Sequence, residues 1–173
     1  MKKLAALLLV VFVPPVFADD YASDRAQIEN LMAKYIFALD WQDGEVYAST
    51  FTEDGVLDSA GGVVQGRKAI REMIEKLRAA GDKRFADDKS GLRRARARHT
   101  VSNVFIEVNG NTARARAYWL HYNNNNPERS GVVDSFGHYE DELVKQNGQW
   151  LFKKRHVFNE QRAPRAAPDR FPL

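Results

Sequence analysis

The feature that most limits what this chain can fold into is a pair of long hairpin signals in its C-terminal half. Four segments of alternating character, 97–108, 111–122, 132–146 and 149–158, are joined in pairs across "NGN" and "QNGQ". Asparagine-glycine turns supply the positive φ that tight hairpins need, so each pair is expected to fold back on itself. The longer connection "NNNNPERSG" separates the two hairpins. In "NTARARAYWLHY", Ala113, Ala115, Ala117, Trp119 and His121 share one parity, and Arg114, Arg116, Tyr118, Leu120 and Tyr122 share the other. Small residues suit close packing under a helix and arginines suit water, so Trp119 and His121 are expected to face inward.

Helices to cover that inner face lie upstream. Ile28, Leu31, Met32, Tyr35, Ile36 and Leu39 recur at three- and four-residue spacing, which predicts an amphipathic helix over 23–39. Asp24 with Gln27 three residues on forms a candidate capping box. "WQDG" at 41–44 breaks this helix, "EVYASTF" reads as a short second one, and "TEDG" reads as a turn. A short strand "VLDS" and the hairpin "AGGVVQG" follow, and then "RKAIREMIEKLRAAG" predicts a third helix closing on Gly81. Residues 82–96 carry no clear period and are expected to form a long loop. The fold class is therefore α+β, with three N-terminal helices packed on a curved, mostly antiparallel sheet over residues 19–160.

The first eighteen residues carry Lys2 and Lys3, an apolar run from Leu4 to Val13, a Pro14-Pro15 break and a small residue at Ala18. That order predicts a signal peptide cleaved after Ala18 and a periplasmic or secreted protein without a permanent membrane anchor. The chain has no cysteine, which excludes disulfides and a lipidated-cysteine anchor. Removing the leader leaves 24 basic against 23 acidic side chains, a nearly neutral protein for which no nucleic-acid partner is expected. "RRARAR" at 93–98 does not alter this, because it lacks interleaved aromatics and any recognised binding motif. The tail at 161–173, rich in proline and arginine, reads as extended or disordered, or as a strap lying across a neighbour.

The order of elements, with "IENLMAKYIFALDWQDGEVYASTFTEDGVL", "QGRKAI", "RHTVSNVFIEVNGNTARARAYW" and "GHYEDELVKQNGQWLFKKRHV", resembles the SnoaL-like branch of the NTF2-like superfamily. That branch is akin to scytalone dehydratase, bile-acid 7α-dehydratase and the hexachlorocyclohexane dehydrochlorinase. The resemblance spans roughly residues 22–158 and implies an NTF2-like cone with a mostly apolar pocket between the sheet and the first helices. It is specific for fold and weak for reaction, because one fold hosts many chemistries. It also implies a homodimer or homotrimer built through the outer sheet face.

Against that background His99, at the mouth of the first long strand, matches the histidine of the dehydratase-type relatives, and Asp40 matches its carboxylate partner. The residues themselves point the same way. Asp40 follows Met32 and Ile36 at four-residue steps, so its carboxylate sits at the edge of a buried stripe and needs a partner. An imidazole meets that need, and a carboxylate on one ring nitrogen fixes its tautomer. Tyr35 also matches a pocket tyrosine of some relatives, although its place in the helix stripe fits a core tyrosine equally well. His121, Tyr122 and Asn124 compete for the place of the acid that assists a leaving group. Trp41, Phe51, Val101, Asn103, Phe105, Trp119, Phe136 and Tyr139 are candidate pocket walls.

His138 and His156 read as surface or interface residues. Four histidines without close ligand spacing predict no metal site, and no phosphate loop or nucleophile elbow is present. The functional expectation is a cofactor-independent lyase, dehydratase-like, or an isomerase. It would act on a small hydrophobic molecule, polycyclic or aromatic compounds included, by His-Asp general base catalysis. The rival is a non-catalytic ligand-binding or oligomerising module of the cell envelope.

Overall fold

The computed structural model describes residues 18–161; residues 1–17 of the expected 18-residue leader and residues 162–173 of the expected tail lie outside the described residues. Three helices, α1 (Ala18–Trp41), α2 (Gly44–Ala48) and α3 (Arg67–Ala86), alternate with and precede six strands. These are β1 (Phe51–Ser59), β2 (Gly62–Gln65), β3 (Ala97–Asn109), β4 (Thr112–Asn123), β5 (Val132–Gln146) and β6 (Gln149–Asn159). They form one sheet in the order β2-β1-β6-β5-β4-β3. Every pairing is antiparallel except β1 with β6, which is parallel. The predicted α+β architecture is the one observed.

The two Asn-Gly signals act as expected. Gln146 pairs with Gln149 across Asn147 and Gly148, both at positive φ, as a two-residue primed turn requires. Asn109 pairs with Thr112 across a turn whose Gly110 has φ 57°.

Helix and turn boundaries differ from the sequence reading in several places: the second helix ends at Ala48, and Phe51, expected in that helix, opens β1. The first helix begins well before Asp24, so Asp24 is no cap; its carboxylate instead accepts from Lys145 Nζ (2.7 Å) and Trp150 Nε1 (2.9 Å), tying α1 to the last hairpin. The third helix runs through Gly81 to Ala86, with Lys83 and Arg84 in its last turn, where cations favour the helix dipole. Glycine inside a helix costs about 1 kcal/mol, and here it leaves room: a Cβ at Gly81 would stand 2.7 Å from the Arg94 guanidinium. The "TEDG" segment is no turn but the irregular part of β1, where pairing with β6 shifts between Phe51 and Val56.

The core lies between α1 and the inner sheet face, and at its centre is a charge. Arg155 and Asp141 are both fully buried and joined by two hydrogen bonds of 2.8 and 2.7 Å. The guanidinium lies 4.0–4.2 Å from the ring centres of Tyr35, Tyr139 and Phe152. Burial opposes both charges and pushes the Asp141 carboxyl up. Against its own burial, the Asp141 charge and hydrogen bonds, with the neighbouring Tyr35 and Tyr139, lift Arg155 above its ordinary pKa. This cluster consumes the large inward side chains of the sheet's middle.

A bulge in β3 governs which residues face inward. Between Ser102 and Phe105 the strand takes one more residue than β4 opposite, and Asn103 adopts φ 54°. Before the bulge His99 and Val101 share the inner face; after it Val104, Ile106 and Val108 do. Phe105 is thereby turned outward and is 43% exposed.

Candidate functional site

The site is built where the C-terminal end of α1 meets the first residues of β3. The Asp40 carboxylate reaches across with both oxygens. Oδ2 accepts the His99 backbone N–H at 3.1 Å, and Oδ1 meets His99 Nδ1 at 2.7 Å. The Asp40 side chain is almost wholly buried and the His99 ring mostly so. With Nδ1–H donated to the carboxylate, the lone pair of the neutral ring resides on Nε2.

His121 stands directly opposite His99 in the β3–β4 register, with ring centres 4.5 Å apart. It has its own carboxylate: His121 Nδ1 bonds Asp134 Oδ1, while Asn123 Nδ2 donates to Asp134 Oδ2. The result is two imidazoles side by side, each held through Nδ1 by an aspartate. Neither Nε2 is engaged by another described residue. Trp119 packs beneath, its ring centre 6.4 Å from that of His99, and its Nε1 donates to the His138 carbonyl at 3.3 Å.

Asp40, His99, His121 and Asp134 all line one cavity of about 900 Å³. Its remaining wall comes from Leu39 and Gln42 at the end of α1, from Arg84 and Phe85 on α3, and from the segments 88–97 and 123–129. By exposed area the hollow is more apolar than polar, in line with the resemblance, but charged and amide side chains interrupt its wall. Leu39, Phe85, Leu92 and Pro127 give it an apolar part, but arginines, aspartates and asparagines make up much of the lining. Tyr35, Tyr139 and Phe152 pack on Arg155 instead, with Phe51 against Tyr35 and Phe152, and none of the four lines the hollow.

Among the expected catalytic residues, His99, Asp40 and His121 come together, whereas Tyr35 and Tyr122 do not join them. Tyr35 is 2% exposed and its hydroxyl accepts from Tyr47 at 2.7 Å; burial pushes both phenols up. Tyr122 has the opposite parity to His121 and is absent from the cavity wall.

None of the expected wall residues lines this cavity. Phe51, Trp119 and Tyr139 are core, and Val101 packs against that core. Trp41 is 59% exposed and stacks under Arg98 at 4.0 Å, on the outside of α1. Asn103 and Phe105 are displaced by the bulge, and Phe136 lies exposed on the outer face. Asn124 extends the sheet edge, its Oδ1 accepting Arg96 N–H at 2.6 Å. His138, expected at the surface or an interface, is only 8% exposed, because it stacks on Phe158 and bonds Glu160. His156 is half-buried and stacks on the same Phe158 ring, with centres 3.8 Å apart.

Asp134 was not visible in the sequence pattern. His121 pairs with Ser135 and Tyr122 with Val133, so Asp134 is the extra residue of a second bulge and escapes strand parity. The available signal was that the β4–β5 pairing must bring "VVDS" opposite "LHYN". Among the described residues no group of three or more His, Asp or Glu converges to hold a metal ion, and no helix is long and apolar enough to cross a membrane.

Residues 20–156 match the model of the SnoaL-like domain family. Among solved structures, a protein of unknown function from Mycobacterium tuberculosis is 30% identical with a TM-score of 0.68, over 82% of this chain and 74% of that one. A candidate scytalone dehydratase from Novosphingobium aromaticivorans is 26% identical with a TM-score of 0.64, over 82% of this chain and 87% of that one. A protein from Catenulispora acidiphila solved in complex with S-DNPA shares the fold at 24% identity and a TM-score of 0.65, over 81% and 96% of the two chains. No functionally curated protein is significantly similar.

Proposed function

Because this chain belongs to the SnoaL-like domain family and carries two aspartate-held imidazoles on one cavity wall, we propose that it is a cofactor-independent lyase or isomerase of small cyclic carbonyl compounds. The observation that carries the reading is the pairing itself. Each Nδ1 is occupied by a carboxylate, so each ring offers Nε2 as its one working edge, and the two rings lie 4.5 Å apart. In the dehydration of a β-hydroxy ketone, neutral His99 takes the α-proton from carbon on Nε2. The C–H electron pair becomes the new C=C bond, and the hydroxyl departs as water with the proton held on Nε2 of protonated His121. Asp40 stabilises the imidazolium formed at His99, and Asp134 stabilises the imidazolium that His121 gives up. Isomerisation uses the same first step, with the proton returned at a different carbon. A positioned base of this kind contributes about 10²–10⁴-fold. The 26% identity to a candidate scytalone dehydratase supports the choice of elimination as the first reaction to test.

The test uses 3-hydroxy-1-tetralone, whose dehydration yields 1-naphthol with a distinct absorbance. Turnover is expected in the native protein and is expected to fall by about 10²-fold or more in His99→Gln. Exchange of the α-protons of 1-tetralone for deuterium in heavy water reads the proton-abstraction step alone. Equal rates in native protein and His99→Gln in both assays would refute the reading. We also propose that copies of the chain meet through the outer sheet face, where Phe105, Tyr118, Leu120 and Phe136 are exposed side by side on β3, β4 and β5.

A further inference from the structure

The charges on the cavity wall do not cancel, and the remainder points to the chemistry of the substrate. Asp40 is committed to His99, and Asp134 to His121 and Asn123. Arg94 is paired with Asp82, and Arg129 with Asp88 at 3.0 Å. Two lining cations are left, Arg84 and Arg96, and among the described residues neither is paired with a carboxylate. A solvated arginine on a surface needs no explanation by itself. These two border the same hollow from different elements, Arg84 in the last turn of α3 and Arg96 at the entry to β3.

Arg96 is also held in place. Its backbone N–H donates to Asn124 Oδ1 at 2.6 Å, and its carbonyl accepts Asn124 N–H at 3.2 Å, so the backbone from which its exposed side chain departs is fixed three residues before His99. Arg84 shares its turn with Phe85, whose ring faces the Arg94 guanidinium at 5.9 Å. The negative end of the α3 dipole partly offsets Arg84, and nothing comparable opposes Arg96.

We infer that the site takes an anionic substrate, a cyclic carbonyl compound bearing a carboxylate, whose acid group is read by Arg84 and Arg96 while its ring lies against Leu39, Phe85, Leu92 and Pro127. Guanidinium groups bind carboxylates through paired N–H donors, which gives orientation as well as affinity. Fixing the acid end at the arginines turns the opposite end of the ring toward His99 and His121. This inference rests on the reading above only for where the reacting carbon sits; the arginine pair recognises the anion whether or not chemistry follows.

Binding of 2-naphthoate and of its neutral methyl ester, measured by calorimetry, separates the two questions. The acid is expected to bind about tenfold tighter than the ester, and added salt is expected to weaken the acid alone. In the Arg84→Gln/Arg96→Gln double variant the acid is expected to fall to within about threefold of the ester, while ester affinity, the internal control for folding, holds. His99→Gln is expected to keep the acid preference. Equal binding of acid and ester to the native protein, survival of the preference in the double variant, or no detectable binding of the acid would each overturn the inference. If tetralone turnover survives His99→Gln while the acid preference tracks the arginines, the acid–base reading fails and this one stands.

Discussion

At the scale of single residues, the two aspartates are not equivalent. Asp40 uses one oxygen on the His99 ring and the other on the His99 backbone N–H, so it sets the position and the tautomer of that imidazole together. Asp134 divides itself between the His121 ring and the Asn123 amide at a more open place, with 41% of its side chain exposed against 3% for Asp40. An asparagine at 40 can satisfy the backbone N–H with its carbonyl only by turning its own N–H₂ toward Nδ1, which inverts the tautomer and takes the lone pair from Nε2. Asp40→Asn is therefore expected to lower kcat for 3-hydroxy-1-tetralone by about 10²–10⁴-fold. Asp134→Asn, free to rotate and hydrated, is expected to cost only about tenfold. Steady-state kinetics on the two variants checks the order, and a larger loss in Asp134→Asn would show that His121 is the base.

At the scale of elements, the strands were legible in the sequence and their irregularities were not. Alternation and Asn-Gly turns locate β3 to β6 within a residue or so, because those signals come from local backbone geometry and from which face meets the core. The bulges at Asn103 and Asp134 arise from how two strands accommodate each other, a property of the pair that neither sequence states alone. Each carried a site expectation with it: Asn103 and Phe105 left the inner face, and Asp134 arrived at the site. His99 and Asp40 could be paired because the resemblance matched both to a histidine-carboxylate pair of its relatives, and because a buried-edge carboxylate needs a partner such as a strand-mouth imidazole. The polar loop 88–97 offered no such constraint, and its part in the wall depends on how α3 extends past Gly81. Close approach of strands has its own check at Gly137, opposite Trp119 in β4. A Cβ there would lie 1.9 Å from the Phe158 carbonyl oxygen and 2.9 Å from the Trp119 ring. Since backbone cannot yield as a flexible side chain does, Gly137→Ala is expected to cost about 3 kcal/mol, read as a lower denaturation midpoint.

At the scale of the whole molecule, the floor of the site depends on α1 being held across the sheet, since Asp40 reaches His99 only from the end of that helix. Twenty-four residues long, α1 is anchored near its other end by Asp24, which takes hydrogen bonds from Lys145 and Trp150 on the β5–β6 hairpin. Burial by itself would raise the Asp24 carboxyl, yet the two donors and the Lys145 charge together hold it below the usual carboxylate value. A carboxyl whose folded-state pKa is depressed binds its proton more readily in the unfolded chain. Its contribution is therefore fully present above the ordinary carboxylate value and is lost as pH falls through the lower, folded-state value. Charge-assisted bonds of this kind contribute about 1.5–3 kcal/mol each, and an amide at 24 retains part of them, so Asp24→Asn is expected to lower stability by about 1–3 kcal/mol at neutral pH. Chemical denaturation across a pH series checks both size and sign: the gap between native protein and variant is expected to narrow below about pH 4. A gap that stays constant into acid would mean that the Asp24 charge contributes nothing and that α1 is held by its apolar face alone.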